Sequence, residues 1–243
     1  MRTVEDRREE GPPLVKPYNH PNDALNYLPR RPLNEYAKGD IIYSGSSPAL
    51  YLVAAGRVKV TSVASDGLEA IIQIVPPEGL FGTSSLVNHH GGERAVALDR
   101  VQLMAWKPAE IEQQIEREPR LGLALMEELV IASMDMEERM QAMASYKTPQ
   151  RVMLSLLQLA RTLGENQPDG AIRMASLTHN VIAEHVGTSR EIVSSQMSHL
   201  RRLGLVRYSR KHIDVYCDAM EETLRSNGMA LRTIREGTAA GRN

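Results

Sequence analysis

Between Arg190 and Arg202 the chain sets guanidinium groups among short hydroxyls: Arg190, Glu191, Ser194, Ser195, Ser198, His199, Arg201 and Arg202. On a helical wheel of about 100° per residue these share one side. Ile192, Val193, Met197, Leu200 and Leu203 share the other, within an arc of roughly 140°. No acid, base and nucleophile are grouped here for bond-breaking chemistry. A face of short donors and forked cations suits a duplex groove, because small side chains let the backbone approach and arginine bonds bidentately to guanine.

The flanking residues supply what such a helix needs. Thr178 is a good N-cap for a preceding helix, with Val181, Ile182 and Val186 on one apolar side. Gly187 stops that helix in a left-handed turn. Thr188 or Ser189 caps the next one. Gly204 ends it, and 205–209 with 212–216 predict a hairpin across Arg210-Lys211, a basic-tipped wing. Residues 177–216 carry six Arg/Lys and three Asp/Glu, net +3, in a chain of net −1. Capped helix, glycine turn, second cap and basic hairpin in that order point to DNA.

This stretch resembles the C-terminal domain of the Crp/Fnr family of bacterial transcription regulators, on LTHNVIAEHVGTSREIV, LRRLGLV and VY. The resemblance implies that Arg190 reads guanine and Glu191 contacts cytosine. The family's second arginine, one turn on, falls on Ser195, a departure that bears on the operator. Arg151 falls at a family position near the DNA backbone. The candidate DNA-binding set is therefore Thr178, Thr188, Ser189, Arg190, Glu191, Ser194, Ser195, Ser198, Arg201, Arg202, Arg151 and Lys211. Thr188-x-x-Glu191 also fits a capping box, in which the carboxylate would turn back to the backbone. The two roles compete for one carboxylate, and DNA is the preferred reading.

At 243 residues, 42% hydrophobic and 24% charged, the chain has room for two ordinary globular cores. No apolar run approaches the 18 or so residues of a membrane span. The start, MRTVEDRREEGPP, has no apolar segment after its charges, unlike a signal peptide. The single cysteine, Cys217, fits a reducing cytoplasm. Acidity is concentrated from Glu110 to Glu138, with nine acids against two arginines, net −7.

Residues 1–32 read as an N-terminal arm, with one helical turn at Asp23 to Leu28. From Leu33 to about Lys107, short apolar runs are punctuated by glycine: 41–43, 50–54, 58–63, 70–75, 95–98 and 101–106. Alternation within them predicts half-buried strands of an antiparallel sandwich or jelly roll, and Ser65-Asp66-Gly67 predicts a hairpin turn. KGDIIYSG, LYLVAAGRVKV, GLFG and GERA resemble the family's cyclic-nucleotide-binding β-roll, here over 33–118. The family's site joins a short phosphate-cradling helix to an Arg-Ser pair, as backbone N–H groups and a guanidinium suit a phosphate. Gly82 and Arg94 are kept, but Thr83 replaces the ribose-binding acid and Ala95 the serine. A structural role for Arg94, satisfied at the sheet end, stays open.

Pro108 to Glu118 predict a short helix. Pro119 suits the first turn of a long one, Arg120 to Ser145. Gly122, Met126, Leu129, Ser133, Met136, Met140 and Met143 recur at four-three spacing, a seam for a parallel helix pair over 119–145. Packing of the seam on the β-roll is the alternative, and Leu125 and Ile131, off the seam, suit that packing in either case. Met136 falls on the family's adenine-contacting threonine. Tyr146 to Thr148 predict a hinge, and 146–219 the winged helix-turn-helix, with Val152 to Ala160 as its buried helix. GENQPDG, 164–170, predicts a loop; the family's matching loop touches RNA polymerase, which makes polymerase a candidate partner. Asp218 to Glu236 predict a charged helix broken near Gly228, within a C-terminal extension over 220–243.

Histidines 179, 185, 199 and 212 lie in the DNA-reading stretch without metal-ligand spacing, so surface or phosphate contact is expected. His89-His90 precedes Gly91-Gly92 in a turn where a haem ligand is conceivable. One cysteine cannot hold an iron–sulfur cluster, which needs about four. No hydrolase triad order, P-loop or H-E-x-x-H is present, which argues against an enzyme.

The expectation is an α+β chain: an antiparallel, jelly-roll-like β-roll, a long dimerisation helix and a C-terminal winged helix-turn-helix. It would read double-stranded palindromic DNA as a cytoplasmic homodimer with no membrane. No cofactor is certain; a small-molecule effector other than cyclic AMP fits the three departures. The alternatives are a cyclic-nucleotide-responsive regulatory subunit of an enzyme, and a signal-independent regulator with an empty or side-chain-filled pocket.

Overall fold

The computed structural model describes residues 24–63, 69–87 and 91–226. A single 3-10 turn, Ala24–Asn26, opens the described chain where one helical turn is expected. The first half then forms two four-stranded antiparallel sheets. One has the order β1-β8-β3-β6, from β1 (Asn34–Tyr36), β3 (Leu50–Ala55), β6 (Leu80–Phe81) and β8 (Val101–Trp106). The other has the order β2-β7-β4-β5, from β2 (Ile41–Gly45), β4 (Val58–Val63), β5 (Glu69–Val75) and β7 (Glu93–Ala97). All six apolar runs become strands. Their inward residues, among them Val53, Val58, Val60, Val75, Ala95 and Leu103, fill the space between the sheets. Tyr43, Tyr51 and Phe81 stack there with ring centroids 5.0–6.3 Å apart. Val63 pairs with Glu69 across the expected hairpin, but Ser65-Asp66-Gly67 itself lies outside the described residues, as do His89 and His90.

The helices α1 (Pro108–Arg117) and α2 (Arg120–Ser145) follow. Pro119 stands just before α2 with helical angles, where its missing N–H costs nothing. Only Leu121, Ala124 and Leu125 of α2 are buried, against Leu50, Leu52, Trp106 and Ile111. Ile131 is 48% exposed, so the expectation that it packs on the roll is corrected. By that turn α2 has run past the apolar cluster that covers its start.

Two residues, Tyr146 and Lys147, separate α2 from α3 (Thr148–Leu163). Lys147 N–H donates to Gln150 Oε1 at 3.0 Å, which caps α3. Val152, Leu156, Leu157 and Ala160 of α3 are buried, as expected. The 164–170 segment is more than a loop: β9 (Gly164–Asn166) pairs with β10 (Ile172–Ala175). The strands β11 (Val206–Tyr208) and β12 (His212–Val215) extend this sheet in the order β11-β12-β10-β9. Between β10 and β11 lie α4 (His179–Val186) and α5 (Arg190–Arg202), and α6 (Cys217–Ser226) follows β12. The expected break near Gly228 and the stretch to Glu236 lie outside the described residues. Met174, Ile182, Val186, Val193, Met197, Leu200, Ile213 and Met220 complete the second core, each worth about 1.5–3 kcal/mol of transfer from water.

Candidate nucleic-acid interface

Local chemistry sets the helix pair. Thr178 caps α4, its Oγ1 accepting from Val181 N–H at 3.3 Å. Gly187 ends α4 at φ 71°, ψ 52°, a conformation that costs a side-chain-bearing residue about 1–2 kcal/mol. The N–H groups of Gly187 and Thr188 both donate to the Ala183 carbonyl, at 2.9 and 3.0 Å. Ser189 caps α5, accepting from Ile192 N–H at 3.4 Å. Thr188 therefore stands outside the helix, and its capping box with Glu191 does not form. The Glu191 carboxylate turns instead toward its own backbone N–H and the Ser189 hydroxyl, which hold it below the usual carboxylate range. It stays exposed at the start of the helix.

Arg190, Glu191, Ser195, Ser198, His199, Arg201 and Arg202 are all exposed on α5, while Val193, Met197 and Leu200 are buried. Ile192 and Leu203 stay 42% and 53% exposed, so the buried stripe is narrower than the wheel predicts. Ser194 is half-buried and bonded to His179 Nδ1 at 2.8 Å; it braces α4 against α5. Ser198 Oγ donates back to the Ser194 carbonyl at 2.9 Å. Arg201 lies over the Tyr208 ring of β11, 5.3 Å from its centroid, which ties helix to wing.

Arg210 and Lys211 are exposed at the wing tip, closed by Ser209 N–H on the His212 carbonyl at 2.9 Å. At the wing's base, fully buried Asp214 takes two bonds from Arg173, at 2.6 and 3.0 Å, and one from Arg207 at 2.9 Å. Those guanidiniums, Arg173 first, hold its carboxyl at about 2. Arg151 lies half-buried in the first turn of α3, donating to Thr148 Oγ1 at 3.3 Å. His185 corrects an expectation: it is buried, bonded through Nδ1 to Ser155 Oγ at 2.7 Å, and cannot touch a phosphate. Burial, with Arg139 nearby, pushes its pKa down to about 3.

The candidate effector residues lie in the roll and on α2. Gly82 sits at φ 79°, where a Cβ would come within 2.4 Å of the Ala49 carbonyl and 2.6 Å of Ser47 Oγ. No side chain fits there. Thr83 opens a 3-10 turn, Thr83–Val87. Arg94 Nη1 pairs with Glu69 Oε1 at 2.6 Å, while its Nε is buried without a partner. Ala95 is fully buried in the roll, and Met136 is 45% exposed on α2. Sequence reasoning missed three polar neighbours. Glu93 accepts from Tyr43 OH and, at 2.6 Å, from Ser84 Oγ; Ser85 Oγ is buried and unpartnered; Glu69 holds Arg94. The Ser84-Ser85 pair, just past Gly82 and Thr83, was the available signal.

Among the described residues no cluster of His, Cys, Asp or Glu could hold a metal, and no helix is long and apolar enough to cross a membrane. The cyclic nucleotide-binding domain profile matches residues 33–118, and the Crp-like helix-turn-helix domain profile matches 150–218. The chain is 30% identical over 191 residues to the global nitrogen regulator of Synechococcus elongatus, covering 76% of this chain and 85% of that one. It is 30% identical over 206 residues to the cyclic AMP receptor protein of Thermus thermophilus, covering 83% and 90%. The solved structure of FixK2 from Bradyrhizobium japonicum shares the fold, with a TM-score of 0.69 at 21% identity over 79% of this chain and 96% of that one.

Proposed function

The chain belongs to the Crp/Fnr family of transcription regulators and carries its DNA-binding helix-turn-helix, and we propose that it reads a palindromic operator as a cytoplasmic homodimer, without enzymatic activity. The observation that carries this reading is the α5 face. Arg190, Glu191, Ser195, Ser198 and Arg202 are exposed on one helix whose other face is locked into the core. Arg210 and Lys211, exposed at the wing tip, and Arg151 in the first turn of α3 would add phosphate contacts. The reading takes 33–118 as sensor, 119–145 as dimer helix and 146–219 as DNA reader.

The dimer rests on α2. Met126, Leu129, Met136, Met140 and Met143 are each 45–66% exposed along the expected seam. Leu123 and Val130 widen that face. A second copy of α2 would cover it, as heptad spacing prescribes.

The roll's residues suit a ligand's anionic group but lack partners for the rest of cyclic AMP. Gly82 clears the backbone, and Arg94 Nε and Ser85 Oγ are spare donors. Thr83 brings no carboxylate to a ribose, and Ala95 brings no hydroxyl. The effector is accordingly a small molecule other than cyclic AMP. A second reading, a pocket filled by the protein's own groups, is favoured by Glu69 on Arg94 and by Glu93 bridging Tyr43 and Ser84. An enzyme's regulatory subunit would have no use for the reading helix and wing. The loop around Asp169 keeps RNA polymerase as a candidate partner.

Selection of bound duplexes from a random pool, followed by footprinting, tests the reading. A two-fold symmetric site is expected. Arg190→Ala should then cost about 1–3 kcal/mol per half-site and relax the preference at one guanine. Unchanged affinity and base preference would remove α5 from the groove.

A further inference from the structure

The DNA-reading domain is fastened to the roll of its own chain by groups that no DNA contact requires. Arg139, on the half of α2 that leaves the roll, donates from Nη1 to the Ile72 carbonyl at 2.8 Å. Its Nη2 donates to the Ile71 carbonyl at 2.6 Å and to the His185 carbonyl of α4 at 3.4 Å. Lys59 of β4, only 13% exposed, meets Glu184 of α4 at 2.6 Å. Arg57 forks onto Asp99 at 2.6 and 3.1 Å, and also donates to the carbonyls of Ala175 and Ser176 at 2.9 and 3.3 Å. Those two carbonyls lie just before α4. Ile71 and Ile74 of β5 enter the same apolar cluster as Ile182 and Val186 of α4.

Three cations from three places thus grip α4 and the segment leading into it. None touches the exposed face of α5. The covalent link from α2 to the reader is only Tyr146 and Lys147, both extended, and such a link by itself fixes no angle. Arg139 is an expensive way to gain stability, since a half-buried guanidinium facing carbonyls gives up hydration, which the charge of Asp135 offsets only in part. Its planar fork instead specifies direction.

We propose that Arg139, seconded by the Lys59–Glu184 pair, is a positioning residue for operator recognition: it locks α4, and through it α5, at one angle to α2, and so sets the half-site spacing that the dimer accepts. This rests on the dimer reading above. Each base pair inserted between half-sites moves them about 3.4 Å apart and rotates one about the duplex axis. A locked reader cannot follow; an unlocked one can.

The test uses the full-length protein and its selected operator, with half-sites moved apart or together by one and two base pairs. The wild type should lose at least tenfold in affinity for each shift. Arg139→Gln should flatten that profile to within about threefold, bind the optimal operator several-fold more weakly, and keep the guanine preference assigned to Arg190. A folded Arg139→Gln protein with the wild-type spacing profile overturns the lock. If that variant fails to fold, Lys59→Glu and Glu184→Lys singly should flatten the profile and together restore it; singles with the wild-type profile overturn the proposal. A wild type indifferent to spacing overturns the dimeric reading, and the lock with it.

Discussion

His185 has the most consequential surroundings of any single side chain in the reader. It is buried between α4 and α3, bonded to Ser155, with its backbone carbonyl held by Arg139. In an unfolded chain it takes a proton near its ordinary value of 6.5; in the folded domain it stays neutral down to about 3. Between those values the unfolded state binds more protons, so stability falls as pH falls, with a slope of up to about 1.4 kcal/mol per pH unit. Loss of melting temperature between pH 6.5 and 5, before most carboxylates titrate, is the expected result. His185→Gln should flatten that slope, and an equal slope in both proteins would assign it to other groups. The cap residues Thr178, Ser189 and Gly187 were legible in the sequence because capping is settled within a few positions. His185 was not, because Ser155 lies 30 residues away. Arg139 was hidden for the same reason: its carbonyl acceptors on β5 are 67 and 68 residues distant.

Among the elements, those with a repeat were readable and those without were not. The β-roll's main strands and α2 carry periods of two and of three to four, and α2 begins and ends where proline and the loss of period put it. The strands β1, β6 and β9 span two or three residues, too few to show any period, and exist by pairing with β8, β3 and β10. Two elements carry predictions. On α2, Met136→Glu with Met140→Glu should leave the fold intact and give a monomer, because carboxylates would face their own images. Sedimentation showing an undisturbed dimer would move the interface elsewhere. In the wing, Asp214 is buried beneath Arg173 and Arg207, so Asp214→Asn removes the anion that both answer. The cost should be on the order of 1–2 kcal/mol, allowing for the exposure of the two arginines. The carboxyl's folded pKa of about 2 lies below its unfolded value of about 3.9. Its contribution is therefore present above pH 4 and lost as pH falls toward 2. An Asn variant as stable as the wild type at pH 7, by chemical denaturation, would deny the cluster that role.

At the scale of the whole molecule, the question is what a ligand beside Arg94 in the roll could do to DNA held by α5, which begins 96 residues further along the chain at Arg190. It can act only through a difference in affinity between two arrangements of the reader. A physical route exists: β5 begins at Glu69, which holds Arg94, and continues to Ile71, Ile72 and Ile74, which meet Arg139 and α4. A ligand anion that drew Arg94 away from Glu69 would disturb the strand on which the reader is seated. Cyclic AMP is poorly equipped to do so. In the site proposed above it must displace Glu69 from Arg94, and the family resemblance would put Ala95 where a hydroxyl would help, and Thr83 and Met136 in place of groups for its ribose and adenine. A polar ligand group buried without its partner costs about 1–3 kcal/mol, enough to offset one charged contact with phosphate. Cyclic AMP at ordinary cellular levels should therefore change operator affinity less than about fivefold, roughly 1 kcal/mol. Footprint titration at fixed salt measures this directly. A hundredfold gain would mean that Arg94, Ser85 and the backbone at Gly82 suffice for the phosphate, and that Glu69 yields. Replacing Glu69 with Gln then separates the two cases: if the carboxylate is what excludes the nucleotide, the variant should gain a response that the wild type lacks.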